Sequence, residues 1–179
     1  MKSASGVQAG LTVIEIIIGL ALVGALTVIA VPGLAAWQAT LRVRTEINAL
    51  HHAFHVARRA SITGNVDVVV CPSTDGQQCR GDGDWSSGWL VYVESSGSAP
   101  PQRDHGERRL LAFRGSTSLR SVANRRYFVV RTRRYRATNG TFVICDRLGR
   151  GQARALIVSY TGRPRARPAA EVAGRLPCR

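Results

Sequence analysis

The sequence has one lysine, Lys2, one methionine, and aromatic residues at only 6% of its 179 positions. A core built from it rests on Val, Leu, Ile and Ala rather than on rings. At 45% hydrophobic residues there is enough of that material to exclude a disordered chain. Acidic residues are also few, eleven against twenty-five Lys and Arg, for a net charge of +14. Catalytic signatures are missing: no Gly-x-Ser-x-Gly, no phosphate-binding loop and no Gly-x-Gly-x-x-Gly. No spacing selects a Ser, His and Asp as a set, so nothing marks an enzyme and no cofactor is expected. His51, His52 and His55 form a His-His-x-x-His run, but no Glu sits where a zinc peptidase needs one. These histidines read as surface or groove-lining. Asp82-x-Asp84-x-Ser86 has the start of a calcium loop but lacks the glycine at position six and the glutamate at position twelve, so it reads as a solvated turn. No metal is expected.

One long apolar run is present. Leu11 to Val31 holds 21 residues with a single charge, Glu15. At about 1.5 Å per residue this is ~31 Å of helix, enough for one bilayer crossing. A secretory signal peptide has a shorter apolar core and a small-residue cleavage site after it. Here the small residue, Gly10, stands before the run, behind a short polar leader of residues 1–10. A carboxylate near the start of a membrane helix is costly and implies a role. Glu15 suits the positive end of a helix starting near Leu11, or a free amine if the chain is cut after Gly10.

Gly10-Leu11-Thr12-Val13-Ile14-Glu15 resembles the processing motif of type IV prepilins, a Gly, a hydrophobic first mature residue and Glu as the fifth. The family usually has Phe where Leu11 stands. The resemblance implies cleavage between Gly10 and Leu11 by a prepilin peptidase and N-methylation of the new amine. It also implies pairing of Glu15 with the terminal amine of a neighbouring subunit during assembly.

Pro32 and Gly33 are expected to kink or break the helix. Beyond them Leu34, Trp37, Leu41, Ile47, Leu50, Phe54 and Ala57 recur mostly three or four apart, so residues 32–62 read as an amphipathic continuation ended by Gly64-Asn65. After residue 65 the pattern turns to strands: Val66–Cys71, Trp89–Glu94, Arg109–Arg114, Tyr127–Arg131, Phe142–Cys145 and Ala155–Tyr160, with Asn139-Gly140 as a tight turn. One long helix followed by many strands is an α+β pattern. His51–Ile62, Cys71-Pro72-Ser73 to Cys79, Trp85 to Trp89, Gly140 to Cys145 and Gly162-Arg163-Pro164-Arg165 are together similar to the GspH/FimT minor pilins, and to the FimT-like branch in particular. That resemblance implies a pilin-like fold, with the helix packed on antiparallel sheets and residues 63–179 as a periplasmic domain.

Four cysteines, Cys71, Cys79, Cys145 and Cys178, lie beyond the apolar run, and their even number reads as disulfides. Four cysteines allow three connectivities. The pairing expected is Cys71 with Cys79, closing a small loop, and Cys145 with Cys178, stapling the tail.

The charge is lopsided. Residues 1–100 hold six cations and seven acids, while residues 101–179 hold nineteen arginines and four acids, a net of +15. Such a half points to nucleic acid as a partner. Arg131, Arg133, Arg134 and Arg136 belong to a middle cluster interleaved with aromatics. Strand parity is expected to split them between two faces. Arg163, Arg165 and Arg167 are expected in a loop after the last strand. The Gly-Arg-x-Arg signature at Gly162–Arg165 implies, through the FimT-like branch, DNA binding in natural transformation. The leading expectation is a minor pilin held in the inner membrane before assembly and then carried on a pilus at the surface of a Gram-negative cell. Its expected partners are other pilin subunits, prepilin peptidase and DNA, the DNA without sequence preference. The competing expectation is a minor pseudopilin of type II secretion, a structural part with no nucleic-acid role. An adhesin for anionic surfaces would use the same charge.

Overall fold

The computed structural model describes residues 12–131 and 136–172. Gly10, Leu11, Arg133, Arg134 and Cys178, all expected functional or disulfide residues, lie outside these. The chain divides after Ala36 into two compact units. Helix α1, Val13–Gly64, supplies the helical residues of the first and the opening element of the second.

In the first unit α1 starts with a reciprocal cap. Thr12 donates its backbone N–H and its hydroxyl to Glu15 Oε2, both at 2.9 Å, and Glu15 N–H donates back to Thr12 Oγ1 at 3.4 Å. This is the Thr-x-x-Glu box that satisfies orphan donors of a first turn. The apolar residues that follow are exposed, and the helix is long and apolar enough to cross a membrane. It is continuous through Pro32, so of the kink or break expected there the break does not occur. Proline removes one hydrogen bond, and the Val, Leu and Ala residues around it sustain the helix on both sides.

In the second unit α1 buries Val43, Ile47, Leu50, Phe54 and Ala57, spaced alternately four and three apart. Leu34, Trp37 and Leu41 share the sequence period but stay exposed; burial begins only at Ala39. The helix ends at Gly64, and Asn65 takes the left-handed conformation at φ 50°, where glycine was expected to serve.

Eight strands follow: β1 Asp67–Pro72, β2 Gly88–Glu94, β3 Arg109–Arg114, β4 Leu119–Ala123, β5 Phe128–Val130, β6 Gly140–Asp146, β7 Arg154–Val158 and β8 Pro164–Pro168. They form two antiparallel four-stranded sheets, ordered β3-β2-β1-β5 and β4-β6-β7-β8. The helix stripe meets Val68, Val70 and Val91 of one sheet and Phe142, Ile144, Leu156 and Val158 of the other in a single core. The opposite face of the first sheet is also covered: Val69, Cys71, Leu90 and Tyr92 form a second buried cluster. Burial on both faces explains why β1 reads as a continuous apolar run rather than an alternation.

The few rings are concentrated. Phe54, Trp85, Phe128 and Phe142 meet edge-to-face or stacked, with centroids 4.7 to 5.8 Å apart. Gly140 opens β6 rather than forming a tight turn. A Cβ there would come within 2.6 Å of the Asn124 amide oxygen and 2.8 Å of the Phe128 ring, so close packing demands the glycine.

Cys71 and Cys79 form a disulfide. Cys145 is also disulfide-bonded, and its expected partner Cys178 lies outside the described residues.

Candidate nucleic-acid interface

Arg163, Arg165 and Arg167 do not sit in a loop. They run along a hairpin into β8, an edge strand of the second sheet. The hairpin turn is built by Gly162. Its φ of 69° is left-handed, its N–H donates to Ser159 O at 2.9 Å, and Ser159 N–H donates to Arg163 O at 3.1 Å. A turn followed by a left-handed residue is a standard three-residue hairpin loop, and glycine adopts it without strain. The arrangement places Arg163 at the exit of the turn and commits the next residues to pairing.

Register then orients the side chains. Pro164 opposes Val158 and Ala166 opposes Leu156, while Arg165 opposes Ile157 and Arg167 opposes Ala155. Leu156 and Val158 belong to the core, so Arg165 and Arg167 project from the other face of the sheet. Arg120, opposite Cys145 on β4, shares that outer face. All three β8-hairpin arginines are exposed. Arg167 makes a loose ion pair with Glu171, 3.8 Å apart, and no carboxylate among the described residues pairs with Arg163 or Arg165. Prolines at both ends of β8 and charges between them keep an edge strand from pairing with another chain.

Of the middle cluster, Arg131 and Arg136 are among the described residues, and their surroundings differ. β5 ends at Val130, so the alternation does not extend to Arg131. Arg131 is half-buried, with its Nε 2.7 Å from Asp67 Oδ2, which partly neutralises it. Arg136 is exposed and holds its guanidinium 5.3 Å from the centroid of Tyr160. Arg133 and Arg134 lie outside the described residues.

Tyr160 stands at the hairpin turn, 52% exposed. Beside it Arg58 of α1 donates from Nε to Thr161 O at 3.1 Å, and Ala137 N–H donates to Tyr160 O at 2.9 Å. Three elements therefore bring Arg58, Arg136 and Arg163 to one hairpin. Arg58 and Tyr160 were not recognised from sequence. They are distant in the chain, and no short motif joins them.

The remaining candidates are accounted for locally. Asp82 pairs with Arg80 and accepts from Asp84 N–H, and Asp84 accepts from Ser86 N–H, capping the short 3-10 turn that carries Trp85. The Arg80 side chain, followed by the Asp84 N–H, holds Asp82 below the usual carboxylate range. Among the described residues no three His, Cys, Asp or Glu side chains are grouped to hold a metal. His52 and His55 line a groove on α1, as expected for surface histidines.

Residues 46–162 match the model of a family described as Type II transport protein GspH. No curated protein sequence matches the chain significantly. Among solved structures the fold is similar to the type IV minor pilin FimU of Pseudomonas aeruginosa. The TM-score is 0.51 at 20% identity, covering 72% of this chain and 90% of that one. It is also similar to the minor pseudopilin EpsH of the Type 2 Secretion System of Vibrio cholerae, with a TM-score of 0.50 at 9% identity, covering 71% and 97%. At such identities the likeness is one of fold. The family match stops at Gly162, one residue before Arg163.

Proposed function

The chain belongs to the GspH family, and on that premise we propose that it is a minor pilin of a type IV pilus that binds DNA through its arginine surface for uptake in natural transformation. The observation that supports this reading is the β7–β8 hairpin, which presents Arg163, Arg165 and Arg167 to solvent, the first two without an acidic partner among the described residues. Guanidinium groups match phosphate in bidentate fashion, and phosphate contacts give affinity without reading sequence. In this reading the leader is removed after Gly10 and the apolar half of α1 anchors the subunit in the inner membrane. The second unit stands in the periplasm until assembly with other pilin subunits.

Binding of the full-length chain to a mixed-sequence duplex, measured across a salt series, tests it. The logarithm of the affinity is expected to fall linearly with log salt, with a slope of about −0.9 per phosphate contacted. Arg163→Gln with Arg165→Gln should weaken binding and leave the fold intact. Unchanged affinity in that folded variant, or no binding by wild type in about 50 mM salt, would refute it. The description of the matched family favours a second reading, a type II secretion pseudopilin without a nucleic-acid role. Absence of DNA binding at low salt, together with loss of secretion on deletion, would support that one.

A further inference from the structure

We infer that the exposed face of α1 carrying His52, His55 and Arg59 is a second phosphate-binding track, continuous with the arginine hairpin through Arg58. The inference rests on the DNA reading above and adds a surface to it.

His52, His55 and Arg59 follow one another at spacings of three and four, so they share one face of the helix. With Arg58, Val56, Ile62 and Thr63 they line a groove of about 450 Å³. From His52 to Arg59 the helix rises about 10 Å. That length is enough to reach neighbouring phosphates of one strand. Among the described residues no carboxylate pairs with any of these four basic side chains. Arg58 Nε is fixed on Thr161 O, two residues before Arg163, so groove and hairpin adjoin.

His55 gives this track a pH dependence that an arginine surface lacks. Partial burial, followed by the positive fields of His51, Arg58 and His52, holds His55 below its ordinary range. His51 lies with its ring centroid 4.6 Å from that of His55. The hairpin packed beside Arg58 offers it the Thr161 carbonyl. None of the charges acting on His55 is acidic. A phosphate in the groove opposes these fields and favours the protonated ring, so binding takes up protons and strengthens as pH falls.

The test uses the full-length chain in nonionic detergent and a fluorescent mixed-sequence duplex, titrated over salt near pH 6 and near pH 8. Wild type is expected to bind more tightly, with a steeper salt slope, at the lower pH. His52→Gln with His55→Gln should match wild type near pH 8 and lose most of the gain near pH 6, with the salt slope there shallower by about 0.9 per contact removed. Arg59→Gln should make the slope similarly shallower at both. His52→Arg with His55→Arg should bind tightly at both pH values, which separates lost charge from lost folding. If His52→Gln, His55→Gln and Arg59→Gln combined leave affinity and slope unchanged while Arg163→Gln with Arg165→Gln weakens them, the second track is wrong and the DNA reading stands. No gain in the arginine variant also overturns it. No binding by wild type at low salt overturns both.

Discussion

Glu46 is a carboxylic acid in a hydrophobic core. It is buried on α1, accepts from the Ser121 hydroxyl and the Ser116 N–H, and its burial pushes its pKa up. The folded state therefore holds the proton more tightly than the unfolded chain does. The stability this group contributes is present below the ordinary carboxylate range and is lost as pH rises through the raised value. Glu46→Gln, which keeps an acceptor for Ser121, should raise stability at neutral pH and flatten that part of the pH profile. Urea melts between mildly acidic and neutral pH check this; a variant less stable than wild type at neutral pH contradicts it. A second residue-scale expectation concerns Gly162. A Cβ there meets Val130 Cγ1 at 3.0 Å, in a left-handed backbone that costs other residues about 1–2 kcal/mol. Gly162→Ala should lower the melting temperature and weaken DNA binding without removing a single charge. Unchanged melting would show that the turn relaxes.

Among the elements, legibility follows apolar patterning rather than burial alone, since β3 matches its expected span at both ends although none of its residues is buried. β1, β2, β6 and β7 carry β-branched and aromatic residues between turn signals, and each lies within about two residues of its expected span. β8 was illegible because Pro164-Arg165-Ala166-Arg167-Pro168 has no apolar alternation. As an edge strand it needs partners on one side only, and its composition answers the danger of the open side. β4, Leu-Arg-Ser-Val-Ala, is similarly short and half polar. The candidate site was legible as a set of arginines, through the Gly-Arg-x-Arg resemblance and the charge asymmetry. Its geometry was not, since Arg58 reaches Thr161 across 103 residues and Asp67 claims Arg131 across 64. The Cys71–Cys79 disulfide belongs to this scale too. It closes a loop with a sequence separation of 8, for which chain entropy gives about 2–3 kcal/mol. Replacing both cysteines by serine should lower unfolding free energy by about that amount. Urea denaturation of oxidised wild type and variant measures it, and a negligible difference would mean that Ser73, Asp75 and their N–H partners hold the loop without the bridge.

At the scale of the whole molecule, the charge asymmetry and the apolar N-terminal helix are expected to act in separate steps. The mature N-terminus should be Leu11, read directly by mass spectrometry of the assembled subunit. Gly10→Val should leave an uncut precursor in the inner membrane. Cleavage elsewhere would undo the pilin processing proposed for this chain. The charge should matter only to the second step: Arg163→Gln with Arg165→Gln should reach the pilus in normal amount and fail in transformation. Loss of the variant from the fibre would instead assign those arginines to assembly.

The scarcity of aromatic residues leaves the protein with built-in optical reporters. Of three tryptophans, Trp37 is 59% exposed, whereas Trp85 and Trp89 are enclosed, the first donating its indole N–H to Arg125 O and the second stacked on Phe113 at 4.2 Å. Emission from Trp37 should be red-shifted and open to a soluble quencher, and emission from the enclosed pair blue-shifted and shielded. Because Trp85 touches the backbone of the arginine-rich segment, a ligand that tightens that segment should change the blue component alone. The same recording then separates events at the arginine surface from detergent or lipid reaching Trp37.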